Sequence, residues 1–166
     1  MDTAPFQILA EGRKPPRPRG LNTPEGLGDR MRTAAFAEKQ AIHAFRWACE
    51  RFQDVPGELR AAWAALIPEE EKHYRLIVTR MAELGFALDA RPVTLNLWRG
   101  LAACETGRDF CIGIARAEER GRQAGVKLAA FLADKDPATA AVFREIVADE
   151  VAHVALADRF YGWKPE

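Results

Sequence analysis

The sequence predicts an all-α protein, an antiparallel four-helix bundle made of two αα-hairpins with a crossover between them. Apolar residues recur at helical spacing through most of the chain, and no stretch alternates with period two for long enough to indicate a sheet. With 166 residues, 48% of them hydrophobic and 29% charged, the chain suits one globular domain of ordinary size.

The four helices are predicted from this periodicity and from the residues at their ends. Thr23 suits the N-cap of the first helix, Pro24 suits its first turn, and the apolar pattern continues to about Phe52. The motif DVPG at 54–57 predicts a turn, and DKDP at 134–137 predicts another. The second helix is expected over 58–84, the third over 96–133 and the fourth over 138–161.

The first 23 residues differ in composition from the rest. The stretch GRKPPRPRGLNTPEG contains four basic residues and four prolines, and it offers little to bury. This composition predicts an extended arm over 1–23, followed by the bundle over 24–161 and a tail over 162–166. A basic arm can contact nucleic acid or an acidic partner, but an arm lying across its own domain or a neighbouring subunit is the simpler expectation.

Charge and hydropathy exclude several classes of protein. The formal net charge is zero, which argues against a surface devoted to nucleic acid. No apolar run approaches the ~18–20 residues of a membrane helix, and the N-terminus lacks the apolar region of a secretion signal. Cys49, Cys104 and Cys111 form no C-x-x-C pair. We therefore expect a cytoplasmic protein with reduced thiols and no membrane partner.

Two of the three histidines follow a glutamate by three residues. Glu70 precedes His73, and Glu150 precedes His153. Residues three apart share one face of a helix. Both pairs lie on apolar stripes that are predicted to face the core, where an isolated carboxylate or imidazole is unexpected.

The distances from the two turns add two more glutamates. In an antiparallel hairpin, residues equally far from the turn lie at the same depth. Glu38 lies as far before the first turn as Glu70 lies after it, 16 positions from Asp54. Glu118 and Glu150 are related in the same way by the second turn. The chain therefore contains two hairpins of equal arm length, each with a glutamate on its first helix and E-x-x-H on its second.

Four carboxylates and two imidazoles in a core are costly when unpaired, at several kcal/mol per buried charge. Two divalent cations would neutralise the carboxylates, and each would accept one imidazole nitrogen. One glutamate from each of two helices and E-x-x-H from each of two others is the ligand set of di-iron and di-manganese carboxylate proteins. The predicted metal ligands are Glu38, Glu70, His73, Glu118, Glu150 and His153.

Several neighbouring residues bear on this ligand set. Glu119 is adjacent to Glu118 and could replace it. His43 lies five residues from Glu38 and is expected to point elsewhere. Glu69 and Glu71 are expected to be solvated.

Four blocks of this sequence, FAEKQAIHAF, PEEEKHYRLI, EERGR and ADEVAHVALADRF, resemble the ferritin-like di-iron carboxylate superfamily. The closest resemblance, over 33–161, is to a bacterial ferritin-like family of unknown function (domain of unknown function 455 type), related in layout to the di-iron tRNA hydroxylases. It implies the same six ligands, with Asp149 orienting His73. One departure is Phe36, where the family usually has a histidine before the first glutamate.

The resemblance implies two iron ions, with manganese or a mixed manganese–iron pair as the alternative. The expected function is a non-haem oxidoreductase that activates O2 or peroxide toward an unknown small-molecule substrate, with no catalytic residue apart from the ligands. A redox partner and a small homo-oligomer are also expected. Substrate would enter beside the first and third helices, where Phe45, Trp63 and Trp98 could line the route, although core packing is the expected role of each.

Two other functions stay open at this point. One is ferroxidase activity, metal storage or peroxide scavenging. The other is a tRNA-modifying hydroxylase that uses the basic residues of the arm, although the neutral net charge makes nucleic acid an unlikely partner. Those basic residues are Arg13, Lys14, Arg17 and Arg19.

Overall fold

The computed structural model describes residues 1–165, and it confirms the all-α fold class. The helices α1 and α2 pack as one hairpin, and α4 and α5 pack as the other, while α3 lies in the crossover between them. Outside the helices, residues 1–165 contain one isolated parallel β-bridge, between Ile8 and Val93. The helices are α1 Pro24–Arg51, α2 Gly57–Glu83, α3 Asn96–Ala102, α4 Gly107–Leu132 and α5 Pro137–Tyr161.

The first turns of α1 and α5 have the capping contacts that their sequences favour. The Thr23 hydroxyl accepts a hydrogen bond from the Gly26 amide at 3.1 Å, as the prediction for the first helix requires. The Asp136 carboxylate accepts from the Thr139 amide at 3.1 Å and so caps α5. That helix ends at Gly162, which has the left-handed φ of +67° that glycine adopts without strain. No helix within residues 1–165 is both long and apolar enough to cross a membrane.

The single third helix predicted over 96–133 is wrong, because the chain breaks there into α3 and α4. Thr106 has an extended backbone, and its hydroxyl accepts from the Asp109 amide at 3.1 Å, which starts a new helix. The carboxylate of Asp54, in the first interhelical turn, accepts from the Gly107 amide at 3.0 Å. The break is thus stabilised by a local cap and by a contact from a distant turn.

The apolar core has two halves, one toward each end of the bundle. One half packs around Trp63 and Phe110, and the other packs around Met81 and Phe143. On α2, the motif Glu70–His73 lies between Trp63 and Met81 along the buried face. The core is therefore interrupted at mid-height by polar side chains, which are enclosed by apolar packing above and below.

The residues before α1 fold back along the bundle. The Phe6 side chain is buried, and its ring lies 4.8 Å from that of Phe36, measured between centroids. The Leu9 amide donates to the Val93 carbonyl at 2.8 Å, and the Val93 amide donates to the Gln7 carbonyl at 2.9 Å. Apolar packing and backbone hydrogen bonds thus attach the arm to α1 and to the segment between α2 and α3.

Candidate metal centre

Four helices each contribute to a cluster of carboxylates and imidazoles at the centre of the bundle. Potential ligand atoms of Glu38, Glu70, His73 and Glu150 lie within 4.8 Å of one another. Glu70 and His73 have no exposed surface, whereas Glu38 is half-buried. The predicted residues around this centre are Glu38 on α1, Glu70 and His73 on α2, Glu118 on α4, and Glu150 and His153 on α5.

Both histidines direct Nδ1 toward the carboxylates. The Nδ1 atom of His153 lies 2.9 Å from Oε1 of Glu70 and 3.5 Å from Oε2 of Glu150. The Nδ1 atom of His73 lies 3.5 Å from Oε1 of Glu150 and 3.8 Å from Oε2 of Glu70. The two imidazole rings are stacked, with their centroids 5.7 Å apart. Glu70 and Glu150 are therefore the two carboxylates that lie between both histidines.

The other nitrogen of each histidine contacts an acidic residue of the opposite hairpin. Nε2 of His73 lies 3.1 Å from the carboxylate of Asp149, and Nε2 of His153 lies 2.9 Å from that of Glu69. An ionised carboxylate can only accept, so each Nε2 carries the proton and donates it. In the neutral ring, this leaves the lone pair on Nδ1, which faces the cluster.

Several inward-facing atoms of the cluster are buried without a hydrogen-bond partner in the described chain. The close approach of His153 to Glu70 does not have the alignment of a hydrogen bond. Unpartnered buried polar atoms are rare in proteins and call for an explanation such as a bound ion. Convergent carboxylate oxygens and imidazole nitrogens suit iron, manganese or zinc, so the residues fit a metal centre. The unpartnered atoms are Oε1 and Oε2 of Glu70, Nδ1 of His73, Oε2 of Glu150 and Nδ1 of His153.

The surrounding carboxylates favour the protonated form of both imidazoles. Burial alone lowers the pKa of His73, but Glu150 and Glu70 outweigh it and raise that pKa to about 11. Burial likewise lowers the pKa of His153, and the proximity of Glu70 reverses the effect and raises the pKa to about 9. The cluster therefore attracts cations strongly.

The two glutamates on the first helix of each hairpin titrate in the opposite sense to Glu70. Burial, followed by repulsion from Glu70, raises the pKa of Glu38 well above its usual value. Burial, followed by repulsion from Glu150 and Glu70, does the same to Glu118. Burial also acts to raise the pKa of Glu70, but the nearby His153 and His73 outweigh it and lower that pKa to about 2. Four carboxylates around one centre do not all ionise unless cations join them.

Glu118 and Glu119 differ in the direction in which their side chains point. Glu118 lines a small cavity together with Glu38 and Glu150. Glu119 faces away from it, and its carboxylate accepts from the Arg122 guanidinium at 2.7 and 2.8 Å. Glu118 is therefore the glutamate that faces the cluster.

The structure corrects one expectation for the neighbouring residues. Glu69 is half exposed, as expected, but it is not merely solvated, because its carboxylate contacts His153. The signal was in the sequence, since an acidic residue precedes the glutamate of each E-x-x-H motif. Glu71 faces outward and pairs with Arg46, and His43 packs edge-on against the Trp98 ring, with centroids 4.3 Å apart.

A cavity of about 80 Å³ borders the cluster on the side where α1 faces α4. Besides three glutamates, small and apolar side chains such as Ala37, Ala41 and Leu97 line it. Phe45 and Trp63 are buried in the core instead of lining this cavity.

Comparison with known proteins places this geometry in a family. The family model described as "Protein of unknown function (DUF455)" matches residues 4–166. The chain belongs to this family. The expected resemblance to it is therefore confirmed. A comparison with curated protein sequences finds no significant match.

A solved structure from Bacillus anthracis strain Ames, described as ferritin-like, diiron-carboxylate proteins, has the same fold. Its TM-score is 0.70, with 16% sequence identity over 82% of this chain and 95% of that one. At this identity the likeness establishes the fold alone. The protein is thus a ferritin-like helical bundle of the DUF455 family with a Glu/His cluster at its centre.

Proposed function

We propose that this protein binds two metal ions and uses them to activate O2 or peroxide for the oxidation of a small organic substrate. The observation that carries the proposal is the set of buried, unpartnered carboxylate and imidazole atoms between the two hairpins. Iron is the metal expected, with manganese or a manganese–iron pair as the alternative, because all of them accept oxygen and imidazole ligands. The proposed ligands are Glu38, Glu70, His73, Glu118, Glu150 and His153.

Each part of the cluster has a distinct proposed role. Glu70 and Glu150 lie between both histidines and would hold the metal together with them, while Glu38 and Glu118 would supply further carboxylate ligands. Asp149 and Glu69 hold the histidines in the tautomer that presents Nδ1, a contact known to strengthen metal binding. When bound, the metal pair would supply the redox chemistry toward O2 or peroxide.

A specific observation favours oxidation of an organic molecule over metal storage. The cavity beside Glu38 and Glu118 has mainly apolar and small side chains on its remaining walls. A route for metal ions is expected to be lined by polar or acidic groups, whereas an apolar wall suits an organic molecule. The proposed entry for substrate is beside the first and third long helices, where this cavity lies.

The first experiment is metal analysis of protein from cells supplied with iron and manganese. We expect about two iron or manganese ions per chain in the wild type and loss of both in Glu150→Ala/His153→Ala. The matched control is Glu71→Ala/His43→Ala, which removes the same residue types outside the cluster and should keep the metal. A folded wild-type protein without metal would refute the dinuclear centre.

A second experiment separates oxidation from storage. Protein loaded with Fe(II) under anaerobic conditions and then mixed with O2 should show a transient visible absorption in stopped-flow measurements. Absence of any transient with both irons bound would count against activation of O2. A particle of about 24 subunits by size-exclusion chromatography would favour storage, whereas a small oligomer would not.

A further inference from the structure

A second cavity, of about 420 Å³, lies under the N-terminal arm. It is bounded by Pro16 and Pro18 of the arm, by Phe36 of α1, and by Pro92 and Leu97 from the crossover, and we call it the arm cavity. Its volume falls in the range of about 300–1,000 Å³ that is typical of small-molecule sites. Prolines and apolar side chains form most of its walls.

Basic residues outnumber acidic residues in the lining of the arm cavity. Three of its lining residues are arginines, Arg17, Arg32 and Arg91, and its single acidic residue is Asp29. Asp29 is also paired with a further arginine, since Nη2 of Arg19 lies 2.7 Å from its carboxylate. Three arginines, Arg19, Arg32 and Arg91, therefore share one carboxylate, and Arg17 adds a further cation to the lining.

The hydrogen bonds of these arginines leave donors available. Arg91 contacts Asp29 through Nη1, and its Nη2 donates to the Arg17 carbonyl at 2.9 Å. A guanidinium carries five N–H donors, so these two contacts do not exhaust it. Within residues 1–165, the exposed Arg17 side chain has no ion pair, although its backbone carbonyl accepts a hydrogen bond from Arg91. An anion beside Arg17 and Arg91 would meet two cations with unused donors.

The arm cavity adjoins the cavity at the metal cluster. Ala37 and Leu97 line both of them. Ala37 directly precedes Glu38, one of the proposed ligands. The two side chains that line both spaces are thus short or aliphatic.

We propose that the arm cavity is the substrate site of this protein and that it takes an amphipathic organic anion. The anionic group binds Arg17 and Arg91, and the apolar body extends past Ala37 and Leu97 toward Glu38. The role as a substrate site rests on the proposed oxidative function, whereas binding of the anion does not. The basic, proline-rich arm then serves to recognise a small molecule, and nucleic acid is not needed to explain its charge.

The binding test uses the full chain after removal of metal with a chelator. Octanoate, octan-1-ol and octyltrimethylammonium are titrated by isothermal calorimetry, so that the head group varies while the chain is constant. We expect octanoate to bind at least tenfold more tightly than either of the others. Arg17→Gln and Arg91→Gln should each weaken octanoate about tenfold, as loss of a charge-assisted hydrogen bond does. Arg13→Gln, on the same arm but outside the cavity, is the matched control and should bind like the wild type.

Equal affinity for the three compounds, or equal effects of Arg17→Gln and Arg13→Gln, would overturn the proposal. Arg17 is exposed, so its substitution tests the site without threatening the fold. Because metal is absent, failure of the dinuclear centre would not alter these results. The orientation is tested by nuclear magnetic relaxation of labelled octanoate on Mn(II)-loaded protein. The methyl carbon should relax faster than the carboxylate carbon, and the reverse order would refute the placement of the apolar end.

Discussion

Loading of the cluster with metal should release protons, and the structure sets a lower limit on their number. In the metal-free cluster, four groups have raised pKa values, which favours their protonated forms. They are His73, to about 11, His153, to about 9, and Glu38 and Glu118, both well above the usual range of glutamate. The pKa of Glu70 is lowered, so this residue contributes no proton.

Protons are released and not taken up because of the chemistry of the ligands. A metal ion binds the deprotonated carboxylate and the neutral imidazole, so any proton on these groups must leave. With pKa values of about 11 and 9, both imidazoles are protonated at neutral pH, and two divalent ions should release at least these two protons, or about one per ion. Since each released proton makes binding tenfold more favourable per pH unit, the affinity for each ion should rise at least about tenfold per unit near neutral pH.

The measurement is calorimetry with Zn(II) or Mn(II) in two buffers of different ionisation enthalpy. The dependence of the observed heat on the buffer gives the proton count directly. Glu118→Gln is the matched variant, because it keeps the shape of the side chain and removes a carboxyl group whose pKa is raised, so that fewer protons should be released. Release of less than one proton per ion, or an affinity that is flat between about pH 6 and 8, would refute the assigned protonation states.

Three further predictions follow from other contacts. Asp149→Asn and Glu69→Gln should each weaken metal binding about 10–100-fold in competition with a chelator, because they replace the charged acceptor of a histidine N–H with a weaker, neutral amide oxygen, and unchanged affinity would contradict that role. Gly107→Ala should cost about 1–3 kcal/mol in urea unfolding, since a Cβ there would lie 2.0 Å from a valine methyl. Gly121→Ala, in open space on the same helix, should be neutral or stabilising by up to ~1 kcal/mol, and equal losses at both sites would show that crowding is not the cause. Phe6→Ala should remove on the order of 3 kcal/mol of packing and speed tryptic cleavage of the arm, and an unchanged cleavage rate would refute the anchoring by this ring.

Helical periodicity was sufficient to predict most of the fold. The hairpin arms, the N-cap at Thr23 and the helix end at Gly162 depend on local patterns, and these the sequence displays directly. The break before α4 was missed although Thr106 and Asp109 form a recognisable capping pair. The supporting contact from Asp54 comes from another turn, so periodicity alone could not reveal it.

The convergence of the site residues was predictable for a different reason. Equal arm lengths place glutamates at equal depth, so simple counting from the turns found Glu38 and Glu118. Their role as ligands remains a prediction. The contact of Glu69 with His153 crosses between hairpins and depends on the rotation of both helices. The arm cavity was equally hidden, because it forms only where residues 15–18 of the arm lie over α1 and the segment between α2 and α3.

Each histidine of the cluster is positioned by the opposite hairpin. Asp149 of the second hairpin accepts from His73 of the first, and Glu69 of the first accepts from His153 of the second. Neither hairpin alone provides the acceptor for its own imidazole, so the cluster is complete only where the two hairpins are docked. A change that loosens the packing between the hairpins would therefore disturb both histidines together.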